Sequence, residues 1–272
     1  MRSDGLDGAG RARGLQRGDP HAASVRGGQA AARCRRRSRA GLDRRGRMGG
    51  SLVEDPLRGA ADDPELRLIE TLLWDGSRLV RLRRHLRRLE GAAARLGWRC
   101  RGAGDALKAA VPEAPARMRL TLDREGRMAV EVVPLPPAKR LWRVGLAEER
   151  LCSADPWLQV KSSRRAAYDA ARAALPEGID ELLFLNERGE LCDGTITTVF
   201  FDAGEGMRTP PLSSGLLPGI LRESMLDAGR CREAPLPGEA LPRVRLWVGN
   251  SLRGLMVAEW AGDGAGREPA PS

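Results

Sequence analysis

Residues 181–201 read ELLFLNERGELCDGTITTVFF. The run ELLFLN (181–186) is apolar and of strand length, ERGE (187–190) is a turn, and LCDGTITTVFF (191–201) is a second strand rich in β-branched and aromatic residues. Asp193 lies in the middle of that second strand, beside Gly194 and ahead of alternating Thr195, Thr197 and Val199. An acid inside an otherwise apolar strand needs a partner. This hairpin is therefore both a fold element and a candidate site.

Working outward, WRVGLAEE (142–149) predicts a strand, WLQV (157–160) a strand end, and SSRRAAYDAAR a helix over 162–174. Downstream come a Gly/Pro turn at 215–218, a helix over 219–228, and strands RLWVGN (245–250) and GLMVAEW (254–260). Upstream, LRLIETLLW (66–74) and RLVRLR (78–83) flank Asp75-Gly76, a hairpin signal. Leu86, Leu89, Ala93 and Leu96 recur at helical spacing over 85–96, and a short helix is expected around 104–111. RMRLTLD (117–123) and RMAVEVV (127–133) form a second hairpin across Arg124-Glu125-Gly126. Pro134, Pro136 and Pro137 mark a boundary between two lobes. Strands and helices mix without a strict βαβ repeat, so the class is α+β. The expected organisation is a tail over 1–47, a smaller α/β lobe over 48–138 and a larger lobe over 139–272.

The 272 residues carry a formal charge of +10, but 13 Arg against four Asp in residues 1–47 account for +9 of it. The tail holds few large apolar residues and no periodicity, and it is expected to be disordered. It reads as a nucleic-acid-binding arm, a targeting peptide or sequence upstream of a true start at Met48, the last being favoured. The near-neutral remainder offers no nucleic-acid surface. Two His (His21, His85) and five Cys without a CxxC pair argue against a zinc site, and the odd, unpatterned cysteines fit a reducing, cytoplasmic setting. No run of about 18 apolar residues is present to cross a membrane.

Only Lys108, Lys139 and Lys161 can supply an amine nucleophile, beside 43 Arg. Lys161 follows an apolar run and precedes a helix. Desolvation there, with Arg164 and Arg165 near, would favour the neutral amine that condenses with carbonyl groups; the plain alternative is a solvated lysine opening a helix. Pro218-Gly219 leads into Ile220-Leu221-Arg222, a helix start whose free N–H groups attract anions, although many such turns bind nothing. Asp193 could meet a protonated pyridine nitrogen or merely an arginine.

Taken together, KSSRRAAYDAAR, NERGELCDGTITTVFF, TPPLSSGLLPGILR and VGNSLRG resemble, in order and spacing, the class IV aminotransferases, the fold-type IV pyridoxal 5'-phosphate (PLP) enzymes. LIETLLWDGSRLVRLRRHLRRLEGAAARLG resembles the family's N-terminal lobe, and the likeness spans about residues 66–260. The resemblance implies a small N-terminal lobe, a larger pseudo-barrel lobe and a homodimer acting on a small amino substrate. It implies that Lys161 binds the cofactor covalently and moves the substrate proton. Asp193 would pair with the ring nitrogen, where the family carries a glutamate one methylene longer. Arg88, the backbone of Ile220 and Leu221, and Ser251 would hold the phosphate, and Leu217 would lie under the ring. Arg165, Asn250 and Arg253 are candidates to face the substrate. His85 reads as structural, and Tyr168 as a packing residue. Residues 48–65 do not resemble the family's opening strand.

The segment NSLRG (250–254) is more similar to the 4-amino-4-deoxychorismate lyases than to the aminotransferases. A lyase forming 4-aminobenzoate and pyruvate on the folate route is therefore the leading expectation. A branched-chain or D-amino-acid aminotransferase is the alternative. A nucleic-acid-binding protein acting through the tail, and a PLP fold without catalysis, are the readings from other classes.

Overall fold

The computed structural model describes Leu57, Gly59 and residues 61–262. The tail and the Met48 start therefore lie outside the described residues. A three-stranded antiparallel sheet comes first: β1 (Leu68–Trp74), β2 (Ala116–Leu122) and β3 (Met128–Pro134), with β2 central. Helices α1 (Leu82–Leu96) and α2 (Ala103–Ala109) cover it. Even-numbered residues of β2 (Met118, Leu120, Leu122) point into this core with Leu68, Leu72, Leu89, Ala93 and Leu107. The strand period of two leaves Arg117 and Arg119 on the opposite face.

One expectation fails here. RLVRLR does not form a strand; only Leu79 bridges Trp74 before helix α1 begins. The turn itself forms, with Asp75 Oδ1 accepting from the amides of Ser77 and Arg78, each at 2.9 Å. The chain then swings away at Arg81, which has a left-handed φ of 56°. The amphipathic stripe of Leu82–Leu96 wins over local β propensity, because β1 finds its partner in β2 instead.

The second sheet has eight strands in the order β6-β5-β4-β11-β10-β7-β8-β9. They are β4 (Leu141–Leu146), β5 (Glu181–Leu185), β6 (Leu191–Gly194), β7 (Thr198–Asp202), β8 (Arg208–Thr209), β9 (Arg232–Glu233), β10 (Arg245–Asn250) and β11 (Gly254–Trp260). Helix α3 (Ala166–Ala173) and helix α4 (Ile220–Asp227) pack outside it. β6 is an edge strand, yet it runs into β7, sixth in the order, across residues 195–197 alone. Four Cα steps reach at most ~15 Å. Five strand spacings in a flat sheet would need ~24 Å. The sheet must curl into a half-barrel, and its inside is filled by Val144, Leu183, Val199, Leu241 and Val248.

Three boundaries differ from the sequence reading. LCDGTITTVFF is two strands, broken where the Gly194 amide bonds back to the Thr197 carbonyl at 2.7 Å. Residues Pro156–Gln159 form a 3-10 turn, with Asp155 capping Trp157, instead of a strand end. The helix expected from 162 starts at Ala166, because Ser162 bridges Leu68 and the Lys161 carbonyl accepts from the Ile69 amide at 2.9 Å. Lys161 is thereby stitched to the first sheet.

Candidate active site

One cleft of 1210 Å³ lies between the two sheets. It gathers Lys161, Asp193, Arg88, Leu217, Ile220, Leu221 and Ser251, along with Arg165, Asn250 and Arg253. The ten residues that the family resemblance assigns to the cofactor or the substrate thus line a single cavity.

Lys161 comes from the segment pinned to β1. Desolvation pulls its pKa down to about 8, with Arg88 and Arg165 acting in the same direction against Glu70 and Asp193. About a tenth of the amine is therefore uncharged at pH 7, far more than for an ordinary lysine. Asp193 projects from β6 and is buried. Its Oδ2 accepts from the Leu217 amide at 3.3 Å, and its Oδ1 has no partner. Burial raises its pKa to about 8, and nearby Glu181 adds to the rise. A buried carboxylate oxygen left unpaired is costly unless a donor arrives.

The anion end of the cleft is built around Glu70. This carboxylate interrupts the apolar strand β1 and is buried. Burial works against its charge, but Arg88 and His85 together hold its pKa down to about 2. Arg88 donates from Nε and Nη2 to the two oxygens at 2.8 and 2.7 Å, and from Nη1 to the Pro218 carbonyl at 3.0 Å. Two guanidinium N–H groups remain for the cleft. His85 lies 2.6 Å from Glu70 through Nδ1 and 2.8 Å from the Ser251 hydroxyl through Nε2. Burial pulls its pKa down. Nδ1 faces the Glu70 carboxylate as donor, and Nε2 holds the Ser251 hydroxyl in place. His85 is structural in the sense expected, but it also orients a residue of the cleft.

Removing the Glu70 side chain would leave a guanidinium and an imidazole buried without their acceptor. Glu70→Ala is expected to cost about 3 kcal/mol or more, a fall of roughly 10 °C in melting midpoint. An unchanged calorimetric midpoint would refute this reading of the network.

Opposite Arg88, α4 opens after Gly219, which offers no side-chain cap. The first-turn amides are left for a ligand or water. β10 backs this helix closely: a Cβ on Gly249 would lie 2.6 Å from Leu221 Cδ2 and 2.7 Å from the Gly254 carbonyl. The carbonyl is backbone and cannot give way. Gly249→Ala is expected to lose about 1–3 kcal/mol in denaturant unfolding, and a wild-type midpoint would contradict the close approach.

Sequence reasoning missed Glu181. This fully buried carboxylate accepts from the Thr195 and Ile196 amides at 3.0 and 3.2 Å and from the Thr197 hydroxyl at 2.8 Å, and it also bonds the Thr195 hydroxyl. It gathers the 194–197 loop immediately after Asp193. Arg172 Nη1 donates to the Thr195 hydroxyl at 3.1 Å, and Arg165 Nη2 donates to the Thr195 carbonyl at 3.0 Å. Glu181 opens an apolar run and Glu70 interrupts one, which was the available signal. Tyr168 packs edge-on against Phe184 at 5.0 Å and also lines the cleft.

The amino-transferase class IV family model matches residues 67–259. A Schizosaccharomyces pombe protein provisionally named aminodeoxychorismate lyase is 31% identical over 179 residues, covering 62% of this chain and 77% of that protein. A structure provisionally described as an amino-acid aminotransferase from Mesorhizobium loti is 43% identical, with a TM-score of 0.68, covering 72% of this chain and 100% of that one. The 4-amino-4-deoxychorismate lyase of Pseudomonas aeruginosa shares the fold at 20% identity and a TM-score of 0.63, covering 80% and 89%. Among the described residues, no helix is long and apolar enough to cross a membrane.

Proposed function

The chain belongs to the class IV aminotransferase family, which depends on PLP, and from that premise we propose that it is a 4-amino-4-deoxychorismate lyase releasing 4-aminobenzoate and pyruvate. The observation that carries the site assignment is the unpartnered Oδ1 of buried Asp193, in the same cleft as a lysine whose pKa is about 8. The residues present fit the cofactor. Asp193 would meet the protonated ring nitrogen, and that cation would return its carboxyl to the ionised form. Lys161 would hold the aldehyde carbon. Arg88, the Ile220 and Leu221 amides and Ser251 would hold the phosphate, and Leu217 would lie against the ring. When bound, PLP supplies an electron sink for the pair released at the carbon bearing the substrate's amine.

The protein's own part is proton movement and orientation. Lys161 takes the proton from that carbon, since its depressed pKa leaves the free amine populated near neutrality. Glu70 fixes Arg88 and His85, and through His85 the Ser251 hydroxyl. The 31% relative's name and the Asn250–Gly254 turn support the lyase over its alternative. The 43% relative's name favours a second reading, an amino-acid aminotransferase. A homodimer is proposed with either, supported by exposed Leu141 and Val257, which face each other in the β4–β11 register.

Feeding the holoenzyme 4-amino-4-deoxychorismate is expected to yield 4-aminobenzoate and pyruvate in equal amounts. Amino transfer from leucine, isoleucine, valine or a D-amino acid to 2-oxoglutarate, with no 4-aminobenzoate, would replace the lyase reading with the aminotransferase one.

A further inference from the structure

The cleft holds a second charge cluster that the Lys161–Asp193 chemistry does not use. Arg117 stands on the cleft-facing side of β2. Its Nε is buried with no hydrogen-bond partner, and its carboxylate neighbour Glu131 is 3.7 Å away and largely exposed. Arg253 sits in the β10–β11 turn. Asn250 fixes that turn, its Oδ1 accepting from the Leu252 and Arg253 amides at 3.1 and 2.9 Å and its Nδ2 donating to the Ile196 carbonyl at 3.2 Å. The Arg253 guanidinium lies 5.3 Å over the Trp142 ring and 3.4 Å from the Pro137 carbonyl, and no carboxylate of the described residues pairs with it. Burial, then repulsion from Arg172 and Arg117, pulls its pKa below the usual arginine range. Arg172 is committed to Thr195 and lies 3.6 Å from Glu181. Two guanidiniums of one cleft thus repel each other, Arg253 with no carboxylate partner among the described residues and Arg117 with only the exposed Glu131 at 3.7 Å. Such an arrangement is stabilised by an anion, and the planar guanidinium fork matches a carboxylate.

We infer that Arg117 and Arg253 form the receptor for a second carboxylate of the substrate, remote from the amine that meets Lys161. This rests on the PLP-enzyme reading of the cleft and adds the substrate class: an amino compound with a distal carboxylate. For the lyase, that group is the ring carboxylate retained in 4-aminobenzoate. For an aminotransferase, it is the side-chain carboxylate of a glutamate-type donor or its 2-oxo acid. Leucine, isoleucine and valine offer the pair nothing.

The test is calorimetric titration of the holoenzyme with two matched pairs, 4-aminobenzoate against aniline and 2-oxoglutarate against 4-methyl-2-oxopentanoate. Wild type is expected to prefer the carboxylate-bearing member of at least one pair by about tenfold, the size of one charge-assisted pairing. That preference should disappear in Arg117→Met/Arg253→Met protein that retains the cofactor absorbance band. The pair that shows it identifies the source of the carboxylate. No preference in either pair in wild type overturns the inference whatever the variant does, as does a preference that survives in the variant. Product analysis with 4-amino-4-deoxychorismate is independent, so the lyase reading can fail while the subsite stands.

Discussion

Lys161→Ala protein is expected to lose turnover by on the order of 10⁴-fold or more, because on the proposed function one amine would both anchor the cofactor and move the proton. The loss should not reflect unfolding. A buried lysine whose pKa is pulled from 10.5 to about 8 costs folding energy wherever it must carry a proton. The sign follows from linkage. Between about pH 8 and 10.5 the unfolded chain binds more protons at this group, so the cost is full below pH 8 and fades above it. Cofactor-free Lys161→Ala protein should therefore melt no lower than wild type at pH 7. A variant with a tenth of wild-type activity, or one that melts far lower, would sink this account of the amine.

Asp193→Asn carries the second large effect, with opposite signs on activity and stability. Turnover should fall by about 10²–10³-fold, since an amide cannot hold the ring nitrogen's proton as a carboxylate does. In the cofactor-free protein the same change should stabilise. Burial raises the Asp193 pKa from 3.8 to about 8, so the folded state binds more protons than the unfolded chain between those values. Stability from this group is present below about pH 4 and is lost as pH rises toward 8. Cofactor-free wild type should thus lose melting temperature between pH 5 and pH 8, by an amount worth a few kcal/mol. Asp193→Asn should flatten that slope. A slope unchanged by the substitution would show that Asp193 is not the strained group.

Much of this fold was legible because its hairpins carry local signals. The 124–126 turn has Gly126 at φ 85°, and Asp123 Oδ1 accepts the Glu125 and Arg127 amides at 3.1 and 2.8 Å. Strands β10 and β11 fell where their apolar runs placed them. What the sequence concealed depended on long-range partners. RLVRLR has strand-like alternation, but the α1 stripe decides its fate by packing on β1, whose own strand partner β2 lies more than 30 residues further on. The break at 195–197 depends on Glu181, and only the folded chain brings that carboxylate to the loop.

The candidate site divides in the same way. Lys161, Asp193 and Ser251 were visible because their sequence neighbourhoods are distinctive, and the cleft gathers them. Glu70 and Arg117 were not, and Arg253 was named only for its place beside Ser251, because a glutamate in a strand and an arginine on a sheet face are ordinary until their partners are known. Glu70 acquires its meaning from His85 and Arg88 in the first two turns of α1. The arginine pair acquires its meaning from facing one cleft with only the exposed Glu131 as counter-charge, which no local pattern can reveal.

On the proposed function one lysine of three, in the cleft that also holds an unpaired Asp193 oxygen, carries PLP. Borohydride reduction of the holoenzyme followed by peptide mass mapping tests it most directly. A phosphopyridoxyl group is expected on Lys161 alone, with Lys108 and Lys139 unmodified. A label on either of those, or none on a protein loaded with PLP, would contradict it.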